Sequence, residues 1–397
     1  MHARIPAAGA LACLLFGSTA LGQTAPSHPA PPEAPPATVT AGFGQGVLIR
    51  SADRRFSLNI RGRIQGRFTL AERSADLQTE FQVRRMRVVL QGNALGEALT
   101  YNIQLAFSNL DTEPDLRLPL RDAYFTWAPL RDLNVRVGQM KVPFGRQRVI
   151  SSSAQQFVDR SSAVAEFNLD RDVGVTLRSA DLFGLGGRLS YALGVFGGDG
   201  RNRLSETSGL LWVARVQVAP LGDYDDLVEA DVQRRSTPRL AIGAAVAFNQ
   251  NTRRARSTFG DSFRQGFDTL HAAVDLQFKW RGVSLQAEGL YRRADVDFHE
   301  VGTGGTTLRE YSRSGFGYYV QAGWLFTQHM ELSARWGEIY PSAGTDPALA
   351  RLRELGVGAS WYFLRHDLKV QTDWFYTAGE SLNDGRNQLR VQAQLYF

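Results

Sequence analysis

The sequence predicts an all-β protein: a transmembrane antiparallel β-barrel of sixteen strands with its third outer loop folded inward. Three observations point there. From Phe56 to Phe397 apolar and polar residues alternate with the period of two that a pleated strand imposes. The polar face carries charges in nearly every strand, and an unpaired charge in a dry interior is costly, so that face must be wet. The apolar face recurs over about eight to ten residues per strand, enough to cross a bilayer when tilted. In hydrocarbon every backbone N–H and C=O must pair, and only closure removes the edges of a sheet. A soluble β-solenoid also alternates, but it needs a fixed repeat of roughly 20–30 residues, and the chain has none.

The chain opens on Arg4 and a brief apolar run, Ala7 to Phe16, followed by Ala20-Leu21-Gly22, a small-x-small site ahead of Gln23. This reads as a secretory signal over residues 1–22. The one cysteine, Cys13, lies inside it, and Leu14, Leu15 and Phe16 continue the run past it, which argues against lipoprotein cleavage there. A chain cut after Gly22 has no thiolate chemistry. Residues 24–40 are rich in Pro and Ala, including PAPPEAPP (Pro29 to Pro36), an extended linker with nothing to bury. Residues 23–54 are therefore expected to form a periplasmic leader, and 55–397 the barrel. No later apolar run reaches the roughly 18 residues of a membrane helix.

The strands follow in order. FSLNIRGRIQGRFTL sets Phe56, Leu58, Ile60, Ile64, Phe68 and Leu70 against Ser57, Asn59, Arg61, Arg63, Gln65, Arg67 and Thr69. No i, i+3, i+4 stripe runs through it, so a helix is excluded. FQVRRMRVVLQG sets Met86, Val88 and Leu90 against Arg85, Arg87 and Gln91, and RDAYFTW sets Ala123, Phe125 and Trp127 against Asp122, Tyr124 and Thr126. In LNVRVGQMKVPFG, Leu133, Val135 and Val137 oppose Asn134, Arg136 and Gly138; Val173, Val175 and Leu177 form the return strand. The same grammar continues to the last strand, where Leu389, Val391, Ala393, Leu395 and Phe397 oppose Arg390, Gln392 and Gln394.

Short turns are expected near 93–97, 128–132, 281–282, 327–329 and 364–366. Long connections are expected near 71–79, 108–119, 143–170, 197–208, 251–266, 296–314, 341–352 and 378–386. Alternating short turns and long loops mark an outer-membrane barrel. Leu221 to Pro238 breaks the rule, being long and polar where a short turn belongs. Phe56, Phe68, Trp127, Trp212, Trp280, Trp324, Phe326, Trp361, Phe363 and Phe397 are read as sitting at strand ends, where interfacial girdles place them.

Chemistry is carried by arginine. The chain has 45 Lys and Arg, and lysine occurs only at Lys141, Lys279 and Lys369. Guanidinium forks suit phosphate and carboxylate ligands, although a GC-rich genome accounts for arginine equally well. Arg61, Arg63, Arg67, Arg85, Arg87 and Arg136 alternate onto the wet face and are candidate pore-lining cations. Paired instead with Asp122, Asp275, Glu288 or Asp373, they would brace the wall and barely select. Residues 143–170 lack periodicity, and a connection of that length usually has a function. With Arg146, Arg148 and Arg160 it is a candidate constriction loop, beside Lys141. No catalytic motif, metal spacing or cofactor-binding motif occurs, and no nucleic-acid partner is expected.

FQVRRMRVVLQG (Phe81 to Gly92), RDAYFTW (Arg121 to Trp127), VGQMKVPFG (Val137 to Gly145) and the final Phe397 together resemble the outer-membrane porins of the phosphate-selective porin O and P type. The likeness runs from about Arg61 onward and is strongest from Phe81 to Leu177. It implies a sixteen-stranded homotrimer in the bacterial outer-membrane lipid, an inward-folded third loop, and basic side chains guiding small anions such as phosphate. It also implies hand-over to the barrel-assembly machinery through Phe397. By this resemblance the six arginines form a ladder and Lys141 a constriction cation; no second or third central lysine can be matched. The expectation is a porin for small hydrophilic solutes, anion-preferring, with phosphate or polyphosphate leading. The alternatives are a lipase-like barrel enzyme and a plugged structural or adhesive barrel.

Overall fold

The computed structural model describes residues 36–397 except 74–75, 113–117, 205–208, 223, 225–226 and 304–305. The expected signal and most of the Pro/Ala-rich leader lie outside the described residues. The first hairpin pairs β1 (Thr38–Gly42) with β2 (Gly46–Arg50). Then come β3 (Ser57–Arg73), β4 (Asp76–Asn93), β5 (Leu99–Ala106), β6 (Leu120–Leu130), β7 (Leu133–Lys141), β8 (Arg171–Ser179), β9 (Leu189–Phe196) and β10 (Leu211–Val218). They are followed by β11 (Arg239–Arg254), β12 (Ser262–Trp280), β13 (Val283–Ala294) and a separate hairpin of β14 (Phe298–Thr303) and β15 (Thr306–Tyr311). The last five are β16 (Gly315–Leu325), β17 (Met330–Pro341), β18 (Leu352–Leu364), β19 (Leu368–Ala378) and β20 (Arg386–Tyr396). Leaving aside the two hairpins, sixteen antiparallel strands each pair with their neighbours in order. β20 returns to β3 from Gln388 opposite Ala71 to Tyr396 opposite Arg63. Gly62 and Phe397 exchange backbone hydrogen bonds of 2.6 and 2.9 Å at the seam. The barrel is closed, so no sheet edge faces lipid.

Alternation works as the sequence requires. In β12, Thr269, His271, Ala273, Asp275, Gln277 and Lys279 are buried, while Leu270, Val274 and Trp280 are exposed on the outside. At the turn after it, Arg281 (φ 50°) and Gly282 (φ 90°) adopt the left-handed backbone of a two-residue hairpin. Phe56, Trp127, Trp280, Trp324, Phe326, Trp361, Phe363 and Phe397 are all exposed and all sit at the short-turn end, whereas exposed Trp212 and half-buried Phe68 lie towards the long-loop end. Those at the short-turn end form one girdle.

The structure differs from the expected elements in several places. Residues 71–79 are no long loop: β3 and β4 continue outward as a ladder to Arg73 opposite Asp76. β11 and β12 likewise extend through most of 251–266, and the 296–314 connection holds β14 and β15. Cross-strand hydrogen bonding keeps these polar segments in strands after the apolar stripe has ended. Regular structure also begins at Thr38, inside the expected leader. β20 stops at Arg63, leaving the first residues of β3 short of a neighbour. β2 fills that gap, with Val47 opposite Ile60 and Arg50 opposite Ser57.

Residues 143–170, expected to be an aperiodic loop, form two short helices, α1 (Arg146–Val149) and α2 (Ser162–Phe167). Ser161 caps α2 by accepting from the Val164 amide at 3.2 Å. Val142, Phe144, Val164, Phe167 and Leu169 are wholly buried in one apolar cluster with Leu290, Tyr319 and Ile339. These scattered apolar residues anchor a segment that is otherwise polar.

Candidate functional site

The wet face of the barrel spends its acids on the 142–170 segment. Glu288 of β13 accepts the Gln147 amide at 3.0 Å, Asp373 of β19 the Val158 amide at 3.0 Å, and Glu354 of β18 the Ser162 amide at 3.1 Å. Asp275 of β12 takes Arg146 Nε at 2.6 Å and Arg215 at 2.7 Å. From other strands, Lys369 donates to Gln155 O at 2.7 Å, Gln371 to Gln156 O at 2.6 Å, Gln394 to Ser153 O at 3.1 Å and Arg63 to Ser152 Oγ at 3.1 Å. Side chains from strands all around the barrel thus satisfy the backbone of one segment, as buried polar groups require.

A second segment, 219–238, joins β10 to β11 at the short-turn end and carries no strand among its described residues. Its buried Glu229 reaches the first segment. The Glu229 amide donates to Ala154 O at 3.0 Å. The carboxylate accepts from the Gln156 amide at 2.8 Å, Gln147 Nε2 at 3.0 Å and Gln321 Nε2 at 3.0 Å. Lys279 and Gln277 bind Val228 O at 2.6 and 2.8 Å, and buried Asp231 accepts the Gly282 amide at 2.7 Å. The long polar connection that broke the loop rule is therefore bonded to the segment from the opposite end of the barrel.

Among the described residues a cavity of about 890 Å³ opens along β4–β10. Thirteen Arg and Lys residues line it against three aspartates, Asp111, Asp122 and Asp159. Of the expected candidates, Arg85, Arg87, Arg136, Lys141, Arg146, Arg148 and Arg160 meet there. Arg61 and Arg63 lie off it: Arg61 donates to Gly44 O at 2.6 Å and stacks over Tyr396. Arg67 lines a second, smaller cavity of about 530 Å³. The alternative to pore-lining, a ladder paired with Asp122, Asp275, Glu288 and Asp373, does not occur among the described residues. Arg87 pairs with Asp111, and Arg67 and Arg85 with Asp159 at 2.8 and 3.4 Å, while Asp122 holds Arg171 at 2.9 Å. Arg148 pairs with Asp170.

Lys141 and Arg160 are compensated differently. Lys141 Nζ donates to Val149 O at 2.6 Å and Ile150 O at 3.2 Å; Arg160 donates to Gln147 O at 2.9 Å and Ile150 O at 2.8 Å. Among the described residues no carboxylate lies within ion-pair distance of either. Arg136 likewise rests on Thr126 Oγ1 at 2.9 Å and over the Tyr124 ring. Burial pushes the Asp159 carboxyl up, but Arg67, Arg390, Arg84 and Arg85 outweigh it and hold it below the usual carboxylate range.

The candidates named from the sequence left out Arg84, Arg121, Arg171, Arg178, Arg201 and Arg215, which also line the cavity, although alternation puts Arg178 and Arg215 on the wet face. Arg84 is the instructive one. The ladder shifts register between Gln65 and Gly66, so Arg84 is an extra residue in β4 with no partner of its own. A β-bulge re-aims a side chain, and here Arg84 and Arg85 both face the cavity although they are consecutive. The adjacent pair RR inside an alternating strand was the available signal. Among the described residues no three His, Cys, Asp or Glu side chains gather as a metal site.

A profile of the family described as phosphate-selective porin O and P matches residues 58–397. No curated protein matches the chain significantly. Among solved structures, the anion-selective porin from Comamonas acidovorans is 12% identical with a TM-score of 0.54, covering 86% of this chain and 100% of its own. OmpF of Salmonella typhi, in complex with daunomycin, is 17% identical with a TM-score of 0.57, covering 86% and 98%. OmpT of Vibrio cholerae, in its trimer form, is 11% identical with a TM-score of 0.53, covering 86% and 99%. At these identities the likeness shows the fold alone.

Proposed function

Since the chain belongs to the phosphate-selective porin O and P family and resides in the bacterial outer membrane, we propose that it is a narrow, anion-preferring diffusion porin rather than an enzyme. In this reading the 142–170 loop folds inward and segment 219–238 meets it from the periplasmic side. The lumen is reduced to the arginine-lined passage. Inorganic phosphate and short polyphosphates are its leading solutes, and a homotrimer its working form. The observation that supports this best is the division of charge. Thirteen cations line the passage against Asp111, Asp122 and Asp159, and counting Asp170 and Asp275, which pair with Arg148, Arg171, Arg146 and Arg215, brings the acids only to five. In a confined low-dielectric space such a lining raises the local anion concentration and repels cations.

The test is a planar bilayer under a KCl gradient. The reversal potential is expected to show chloride favoured over potassium, with the preference weakening as salt screens the lining. A potassium-favouring potential, or no conductance at all, overturns this reading.

A further inference from the structure

We infer that Asp159 is a resident stand-in for a permeating oxyanion: its carboxylate occupies an anion site built by Arg67, Arg84, Arg85 and Arg390, and a tetrahedral dianion displaces it. This rests on the porin reading and deepens it. Asp159 lies 2.8 Å from Arg67, 3.2 Å from Arg390, 3.4 Å from Arg85 and 3.9 Å from Arg84. Arg390 already holds Asp373 at 2.7 Å, so the other three guanidiniums share one negative charge. That site carries more positive charge than a monoanion neutralises, and a dianion with several acceptor oxygens matches it better.

Placement also favours exchange. Asp159 lines both the main cavity, with Arg84 and Arg85, and the smaller one, with Arg67 and Arg390, so a solute reaches it from either. Its side chain is 26% exposed, against 1% for Asp373 and 0% for Asp275, the carboxylates that only brace the wall. The backbone around it is tethered without the carboxylate. The Val158 amide donates to Asp373 at 3.0 Å, and Arg335 donates twice to Asp159 O at 3.2 Å. The side chain can therefore rotate away while the loop stays in place. Displacement leaves no unpaired cations behind, because the entering anion takes over the same guanidiniums.

The experiment is block of the chloride current by inorganic phosphate in the full barrel, with phosphate binding to the detergent-solubilised barrel followed by calorimetry. With the resident ligand removed, Asp159→Asn is expected to lower both the half-blocking and the dissociation constants roughly tenfold. Sulfate, also a tetrahedral dianion, is expected to follow phosphate. Asp159→Cys is expected to behave as Asp159→Asn does and to return towards the original protein when a sulfonate-bearing thiol reagent restores the negative charge. That rescue separates charge from folding and carries the test if Asp159→Asn does not assemble. Unchanged phosphate affinity in the variants, or no effect of the sulfonate, overturns the inference. A channel with no anion preference sinks the porin reading, and calorimetry still decides the exchange.

Discussion

At the scale of single residues, the register slip in β4 matters most. Arg84 faces the cavity only because Gln65 and Gly66 of β3 leave no partner for it. It donates to Leu110 O at 2.9 Å and is half-buried, so removing its charge disturbs little packing. Arg84→Gln is expected to lower the chloride-to-potassium permeability ratio about two- to threefold while conductance persists, measured from reversal potentials. The carboxyls of Asp111 and Asp159 answer a second question. Burial pushes both up, and their arginine partners outweigh it, so both stay below the usual range. A group with a depressed pKa contributes stability that is present above its ordinary value, near 4, and is lost only as pH falls further. Both carboxylates are therefore expected to stay ionised from neutral pH down to about pH 4, and an infrared or NMR titration showing either one protonating near pH 6 would contradict the assigned pairs.

At the scale of elements, Glu229 joins two segments that leave the strands at opposite ends of the barrel. Its carboxylate accepts from the Gln156 amide, Gln147 and Gln321, and its own amide reaches Ala154. Removing the carboxylate leaves buried donors unsatisfied, at about 1–3 kcal/mol each. Glu229→Ala is expected to speed hydrogen exchange at the Gln156 amide about tenfold or more and to raise single-channel conductance. Glu229→Gln, which keeps an acceptor, is expected to do less of both. If exchange rises while conductance stays unchanged, the segment is a brace and does not narrow the passage. The strands themselves were legible, because alternation is a local property. α1, α2 and the fixed path of 219–238 were not, because bonds to residues up to two hundred positions away hold them.

At the scale of the molecule, the outer face has to remain apolar across the bilayer. Val274 is 63% exposed near the middle of β12, about six residues from the Trp280 girdle, which places it roughly 15 Å into the hydrocarbon on a tilted strand. Val274→Arg is expected to destabilise the barrel by about 2–4 kcal/mol, read from denaturant unfolding in vesicles. The same change on the inner face, at Ala273, would meet loop and lumen instead of lipid, so a similar loss there would mean that lipid exposure is not the cause.

The sequence by itself determined the strand grammar, the apolar outer face, the aromatic girdle and the arginine supply, since each is written in near-neighbour spacing. Only the tertiary structure decided which arginines line the cavity. Closing the barrel brings Asp111 and Asp159 to the ladder, turns Arg61 and Arg63 away from the cavity, and admits Arg84 through a bulge. It also assigned the acids, Glu229 among them, to loop amides far along the chain. Period two says which face a side chain takes. Which charge neutralises it depends on how the sheet closes and on which groups of two aperiodic segments meet it, and neither is a local property of the chain.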